Sequence, residues 1–172
     1  MKGNQKFLLI LSKFAEAYPI GHSKYAPGTL ASLVALFIGF FLLLNLNIKF
    51  YLIFLFGFIV LSYFLCEIHI KLHKKKDPKE VVVDEFTGQF IAILACVKSE
   101  NIIYVFLSLM LSFILFRLFD ITKIGIIKKL ENLPNGIGIM ADDIAAGLFA
   151  FIIQAAFLTS LNQNIFINTL WN

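Results

Sequence analysis

The chain has 172 residues, the length of one domain, and we expect a single membrane-embedded domain over residues 1–172. Hydrophobic residues make up 59% of it, with 20 Phe and a mean hydropathy of +0.85, which excludes an ordinary soluble protein and predicts an integral membrane protein. The net charge of +4 comes from dispersed lysines and one arginine, which argues against nucleic acid as a partner and favours anionic lipid.

The N-terminal segment has the pattern of an amphipathic helix. Phe7, Leu11, Phe14 and Tyr18 recur at helical spacing, and Pro19 and Gly21 end the pattern. Such a helix either lies on the membrane surface or packs over a bundle.

Apolar stretches follow that predict an all-α, polytopic membrane bundle with four to five spans. They are residues 30–44, 50–66, 86–97, 102–119 and 144–161, with a polar, lysine-rich segment over residues 67–80. The third stretch is short, because a helix of about 12 residues covers only about 18 Å. It either crosses with help from the preceding valines or is a buried, re-entrant segment.

Lysine and arginine are distributed very unequally between the two sides of five alternating spans. With the N-terminus inside, thirteen fall in the inner segments and only Lys49 and Lys98 in the outer ones. This asymmetry predicts a cytoplasmic N-terminus and an outer C-terminal tail. The polar motifs of the chain would then meet at the cytoplasmic face.

Two acidic pairs share a local pattern. Asp84, followed by Glu85, and Asp143, preceded by Asp142, each have a glycine four residues on, at Gly88 and Gly147. Each pair is expected to open a helix, and the glycines would let the two helices cross closely. Converging carboxylates favour Mg²⁺ among the divalent cations. The alternative is simple N-capping.

Further polar residues flank these pairs. Arg117 and Asp120 are one helical turn apart, with Lys123 just beyond, so Arg117 either binds a phosphate or forms a structural ion pair. The loop predicted over residues 120–143 includes Gly136 and Gly138, whose backbone could approach a phosphate.

The start of the first span could also bind an anion. Pro27 and Gly28 lead into a helix N-terminus, with Thr29 and Ser32 as hydroxyl donors and His22 shortly before. The alternative is a Pro-Gly turn followed by an ordinary helix start.

Two other sets of residues are expected to be structural. His69 and His73 have metal-ligand spacing but stand among five lysines, so we expect a solvated helix extension. Cys66 and Cys96 are predicted to be buried, unpaired thiols at opposite faces.

As an ordered set, these motifs resemble the phosphatidylglycerophosphatase A family. The matching residues are Ala26–Thr29 with Ser32, Val83–Phe86 with Gly88 and Gln89, Phe116–Arg117 with Phe119, Asp120 and Lys123, and Gly138–Met140 with Asp142, Asp143, Ala146 and Gly147. The resemblance implies a magnesium-dependent enzyme of the bacterial inner membrane that hydrolyses the terminal phosphate of phosphatidylglycerophosphate.

We therefore expect a phosphoric monoester hydrolase with its site facing the cytoplasm. Asp84, Glu85, Asp142 and Asp143 would hold Mg²⁺, or one of them would act as general base. Arg117 and Lys123 would neutralise the phosphate, and Asp120 would orient Arg117 or join the metal ligands. The alternatives are a phosphatase of another lipid phosphate and, from a different class, a membrane ion or anion transporter.

Overall fold

Seven α-helices make up the part of the chain that the computed structural model describes, which is residues 2–75, 78–96 and 99–161. They are α1 (Lys2–Ala15), α2 (Pro27–Asn45), α3 (Ile48–His73), α4 (Val83–Ala92), α5 (Ile102–Thr122), α6 (Ile126–Glu131) and α7 (Asn135–Leu161). Short 3₁₀ turns occupy Ile20–His22 and Ile93–Ala95. The predicted C-terminal tail, Lys76 and Lys98 lie outside the described residues.

Four of these helices, α2, α3, α5 and α7, are long and apolar enough to cross a membrane. Their outward faces carry large apolar side chains, such as Phe41, Phe56 and Ile114, that are more than half exposed. Exposing so large an apolar surface to water is unfavourable, whereas lipid solvates it without cost. The prediction of an all-α membrane bundle is confirmed.

The short helix α4 runs through the interior of the bundle. Nine of its ten residues are buried, against α2, α3, α5 and α7. It begins beside the C-terminal end of α5, yet α5 itself begins at the opposite end of the bundle. Between Val83 and Cys96 the chain therefore runs from the cavity end toward the other end of the bundle through the protein interior, with every residue buried or half-buried.

Polar side chains join α4 to its neighbours. Thr87 Oγ1 donates to Ser62 Oγ at 3.3 Å, and Gln89 Nε2 donates to Ser112 Oγ at 3.2 Å. Between two of those neighbours, Gln154 Nε2 on α7 donates to the Ser108 carbonyl on α5 at 2.9 Å. Neutral hydrogen-bonded pairs of this kind make an apolar environment tolerable for polar groups.

A close backbone crossing joins α4 to α7. A Cβ atom on Gly147 would collide with the carbonyl oxygen of Gly88, and one on Gly88 would meet the Asp143 carbonyl oxygen at 2.7 Å. Both glycines are required because backbone meets backbone, and no side-chain movement could make room. The expected close crossing of the two Asp-x-x-x-Gly helices is present.

The N-terminal helix α1 packs over α3, which is the second of the two arrangements left open by the sequence. Ser12 and Ala15 on its inner face are buried, while Phe7 and Phe14 are exposed. The Ala15 carbonyl accepts a hydrogen bond from the Val82 amide at 3.0 Å. The amphipathic helix thus braces the segment that leads into α4.

Two sequence-based expectations about loops were wrong. Residues 136–140 are helical, because α7 begins at Asn135, and α6 lies in the same predicted loop. The cause is a tertiary contact: the Glu67 carboxylate on α3 accepts a hydrogen bond from the Gly136 amide at 2.9 Å. This carboxylate satisfies a free N–H group at the start of α7 and extends the helix upstream.

Candidate active site

A cavity of about 660 Å³ opens at the end of the bundle where α2, α4 and α7 begin and α5 ends. Carboxylates outnumber cationic side chains two to one along its wall. The acidic residues are Asp84, Glu85, Asp120, Glu131, Asp142 and Asp143, and the basic ones are Lys79, Arg117 and Lys123.

Three of the four carboxylates predicted to hold a metal converge at the base of this cavity. Asp84, Glu85 and Asp143 each offer an oxygen atom, and these atoms lie within 4.8 Å of one another. Asp84 and Glu85 are in the first turn of α4, and Asp143 faces them from α7 across the crossing at Gly88 and Gly147. The backbone contact therefore sets the separation of the carboxylates.

Helix capping does not account for these acids. The N-terminal cap of α4 is Val82, with no side-chain hydrogen bond, and Asp143 lies well inside α7. Asp142 and Asp143 therefore do not open a helix, contrary to expectation. Their positions are set by the packing of α7 against α4 and by the extended N-terminus of α7.

The converged carboxylates fit a divalent cation. Asp84 and Asp143 are buried, and Asp84 Oδ1 and Glu85 Oε2 lack a hydrogen-bond partner among the described residues. Like charges this close repel one another, and burial removes the water that would screen them. A cation bound by several carboxylate oxygens would relieve both costs.

Arg117 reaches the same cavity from α5. It forms an ion pair with Asp120 through Nη1, and the same atom lies 3.4 Å from Ser32 Oγ. The Ser32 hydroxyl in turn donates to the Gly28 carbonyl at 2.8 Å. The Nε atom of Arg117 is buried and has no partner among the described residues, so the guanidinium retains a free donor.

Lys123 links the fourth predicted metal ligand to a second carboxylate. Its Nζ lies 2.8 Å from Asp142 Oδ2 and 2.6 Å from Glu131 Oε1. Partial burial acts to lower the pKa of Lys123, but the hydrogen bonds to these carboxylates outweigh it and raise that pKa. Asp142 is thus directed at Lys123 and is not in the cluster of three.

Gly28 provides the close approach at the start of α2. A Cβ atom there would collide with the Glu85 carboxylate and lie 3.4 Å from Arg117 Nη1. A side chain at this position would displace the Glu85 carboxylate from its place beside the helix N-terminus.

Three residues predicted to bind phosphate do not line the cavity. Ser32 is fully buried. Thr29 points elsewhere on the first turn of α2, and His22 Nε2 lies 2.7 Å from Glu16 Oε2. Conversely, Glu131 and Lys79 line the cavity although they belong to none of the motifs seen in the sequence. Neither residue stood out in the sequence, because each appeared to be one more charge in a lysine-rich loop.

The chain matches a known family over most of its length. The sequence profile of the phosphatidylglycerophosphatase A family matches residues 13–158. A Haemophilus influenzae phosphatidylglycerophosphatase A is 38% identical over 132 residues, covering 76% of this chain and 78% of the relative. The Escherichia coli phosphatidylglycerophosphatase A is 29% identical over 137 residues, covering 79% of this chain and 76% of the relative.

A further match is shorter. A Bacteroides thetaiotaomicron protein, whose name provisionally gives it phosphatidylinositol-3-phosphatase activity, is 40% identical over 80 residues. That match covers 46% of this chain, and the chain spans about half of the relative's length, 48%. No solved structure matches the chain.

Proposed function

We propose that this chain, which belongs to the phosphatidylglycerophosphatase A family, hydrolyses the terminal phosphate of phosphatidylglycerophosphate to give phosphatidylglycerol. The fold fits a lipid substrate, because four apolar helices surround a charged cavity that opens at one end of the bundle. The acyl chains of a phospholipid could stay in the bilayer while its headgroup reaches the cavity.

One observation carries the proposal: three carboxylates and an arginine with a free donor line a single cavity. Asp84, Glu85 and Asp143 converge within 4.8 Å, and Arg117, whose Nε lacks a partner among the described residues, lines the same cavity. Carboxylates alone would repel a phosphate, so the cavity needs bound cations to accept one. The pairing of a cation site with a guanidinium is typical of phosphoryl-group recognition.

We further propose that the cation is Mg²⁺, held by Asp84, Glu85 and Asp143. Oxygen ligands suit this ion, and bound Mg²⁺ would supply charge neutralisation of the phosphate oxygens and a lower pKa for attacking water. Asp142 then has a different part, since its hydrogen bond to Lys123 keeps that ammonium at the cavity wall. Lys123 could then exchange its ion pair with Asp142 for one with the substrate phosphate.

Arg117 and Lys123 are the proposed phosphate-binding side chains. Asp120 and Ser32 orient Arg117, and Asp142 and Glu131 hold Lys123, so both cations are positioned before substrate arrives. Such positioning reduces the entropy that must be lost on binding. Gly28 contributes the space and the helix N-terminus beside them.

We place the protein in the bacterial inner membrane with the cavity facing the cytoplasm. The support is the positive-inside asymmetry, since Lys24 lies at the cavity end and Lys49 at the opposite end. In a background without Cys66 and Cys96, Lys49→Cys should react with an impermeant thiol reagent in intact spheroplasts. Lys24→Cys should react only after permeabilisation, and the reverse pattern would overturn the orientation.

The activity test uses purified protein with phosphatidylglycerophosphate in mixed micelles. Phosphate release should require Mg²⁺, stop with chelator and fall in Asp84→Asn. Glu100→Gln is the matched control, because Glu100 is an exposed acid near the start of α5, at the far end of the bundle. It should retain full activity.

Parallel assays decide between substrates. Phosphatidic acid and phosphatidylinositol 3-phosphate present the same phosphomonoester on other headgroups. Faster release from either one would replace the proposed substrate while keeping the site. Absence of release from every lipid phosphate in Mg²⁺ would reject the enzyme assignment and favour the transporter alternative.

A further inference from the structure

A second group of ionisable side chains lies outside the cavity, where α1 crosses the end of α3. It contains all three histidines of the chain together with Glu16 and Glu80. The solvated helix extension expected at His69 and His73 was therefore right about the helix and wrong about the exposure of His69. Both are helical, but α1 covers His69 completely, leaving none of it exposed.

The ligand atoms of this group converge. Glu16, His69 and His73 each offer one atom, and the three lie within 4.8 Å of one another. His69 Nδ1 and His73 Nε2 face the same Ser12 hydroxyl at 3.0 and 3.1 Å, and His69 Nδ1 lies 3.6 Å from Glu16 Oε1. Ligands around a tetrahedral zinc ion, with bonds of about 2.0 to 2.1 Å, are about 3.3 Å apart.

We propose that Glu16, His69 and His73 form a binding site for a transition-metal cation, with Zn²⁺ the best match. Two imidazoles at i and i+4 of one helix plus one carboxylate form a nitrogen-rich set that Mg²⁺ does not favour. His73 is exposed, so a water molecule can complete the coordination from that side. The site is separate from the oxygen-only cluster of the cavity.

The residues around this group are placed like those that hydrogen-bond to the ligands of a bound metal and orient them. The second oxygen of Glu16 pairs with His22 Nε2 at 2.7 Å. The outer nitrogen of His69, Nε2, is buried without a hydrogen-bond partner among the described residues, and Glu80 Oε1 lies 3.9 Å from it. Metal-bound histidines commonly direct their second nitrogen at such a carboxylate, which fixes the ring and strengthens the ligand.

The consequence of occupancy would be structural. The group joins α1 to α3, while Glu80 and the hydrogen bond between the Val82 amide and the Ala15 carbonyl connect it to the segment entering α4. A bound ion would fix α1 and, through this segment, the entry to α4 without touching substrate. The inference is independent of the proposed reaction.

The test uses tag-free protein, stripped with chelator and then held in excess Mg²⁺ to occupy the cavity. Elemental analysis after Zn²⁺ titration should find one tightly bound Zn²⁺, and Zn²⁺ should raise the thermal unfolding temperature. His73→Gln should weaken Zn²⁺ binding at least 100-fold and abolish that rise. His73 is exposed, so this substitution is not expected to prevent folding.

Two control variants test whether the bound Zn²⁺ belongs to this site. Ser12→Ala removes the hydroxyl that bridges the histidines and should keep the Zn²⁺, which separates a metal site from a hydrogen-bond network. Asp84→Asn should also keep it, although that variant should lose phosphatase activity. The proposal is overturned if wild-type protein binds no Zn²⁺ under these conditions, or if His73→Gln binds it as tightly as wild type.

Discussion

The two halves of the buried helix α4 differ in the polar groups that they carry. Toward its centre the polar groups are neutral: Gln89 Nε2 donates to Ser112 Oγ, and Gln89 Oε1 has no partner among the described residues. At its first turn, Asp84 and Glu85 face a third acid, Asp143, and two of their oxygens have no partner among the described residues. The first set is neutral, whereas the second concentrates like charge.

This difference separates structural polar groups from functional ones. Neutral pairs inside a bundle hold helices together at little cost. Converged, buried carboxylates destabilise the protein unless something binds them, so their presence is better explained by function.

The largest effect is expected from removing one charge of the converged set. Asp84→Asn and Asp143→Asn should each lower turnover at least ~100-fold, which corresponds to losing about 3 kcal/mol of transition-state stabilisation. Folded stability should be unchanged or higher, because like-charge repulsion is relieved. Turnover and thermal unfolding should be measured on the same preparations, and near-normal turnover would remove that acid from the site.

The next effect concerns the crossing that positions these acids. Gly147→Ala inserts a methyl group against the Gly88 carbonyl and should destabilise the protein by about 1–3 kcal/mol, with loss of activity. Gly57→Ala on α3 is the matched control, since nothing lies within 4 Å of its added Cβ. That control should change stability by less than ~1 kcal/mol. Equal effects of the two substitutions would contradict the crossing.

A smaller effect is expected at Arg117. Arg117→Lys keeps the charge but loses the planar set of donors, so turnover should fall about tenfold or more with normal stability. Combining it with Asp120→Asn tests the ion pair. Strong coupling in stability with intact turnover would make Arg117 a structural residue.

The smallest effect is expected at Lys79, which lines the cavity without an ion pair among the described residues. Lys79→Gln should raise KM for the anionic substrate a few-fold and leave kcat unchanged, because a mobile surface charge acts mainly by attraction. The effect should shrink at high salt. A change in kcat would place Lys79 closer to the chemistry than the structure does.

Much of this architecture could be predicted from the sequence. The lengths of the apolar runs predicted α2, α3, α5 and α7. The charge asymmetry predicted that the chain crosses from one end of the bundle to the other between α3 and α5. The repeated Asp-x-x-x-Gly pattern gave the contact between α4 and α7, because a carboxylate and a glycine four residues apart share one helix face. These features depend on local periodicity, which the sequence displays directly.

The remainder depends on contacts between distant segments. Gly136 and Gly138 have the composition of a loop, and the Glu67 carboxylate that extends α7 through them is far away in sequence. His69 stands among lysines, and its burial depends on α1 folding over α3. Likewise, Asp142 lies apart from the cluster of three because it pairs with Lys123, and that contact is not visible in the sequence.

The central claim is that Asp84, Glu85 and Asp143 bind a divalent cation together. Mn²⁺, which shares the preference of Mg²⁺ for oxygen ligands and is paramagnetic, allows that cation to be observed directly by electron paramagnetic resonance. Purified wild-type protein and Glu100→Gln should each bind Mn²⁺, with Mg²⁺ competing, while Asp143→Asn should lose most of the binding. Equal Mn²⁺ binding by Asp143→Asn and wild type would contradict the account.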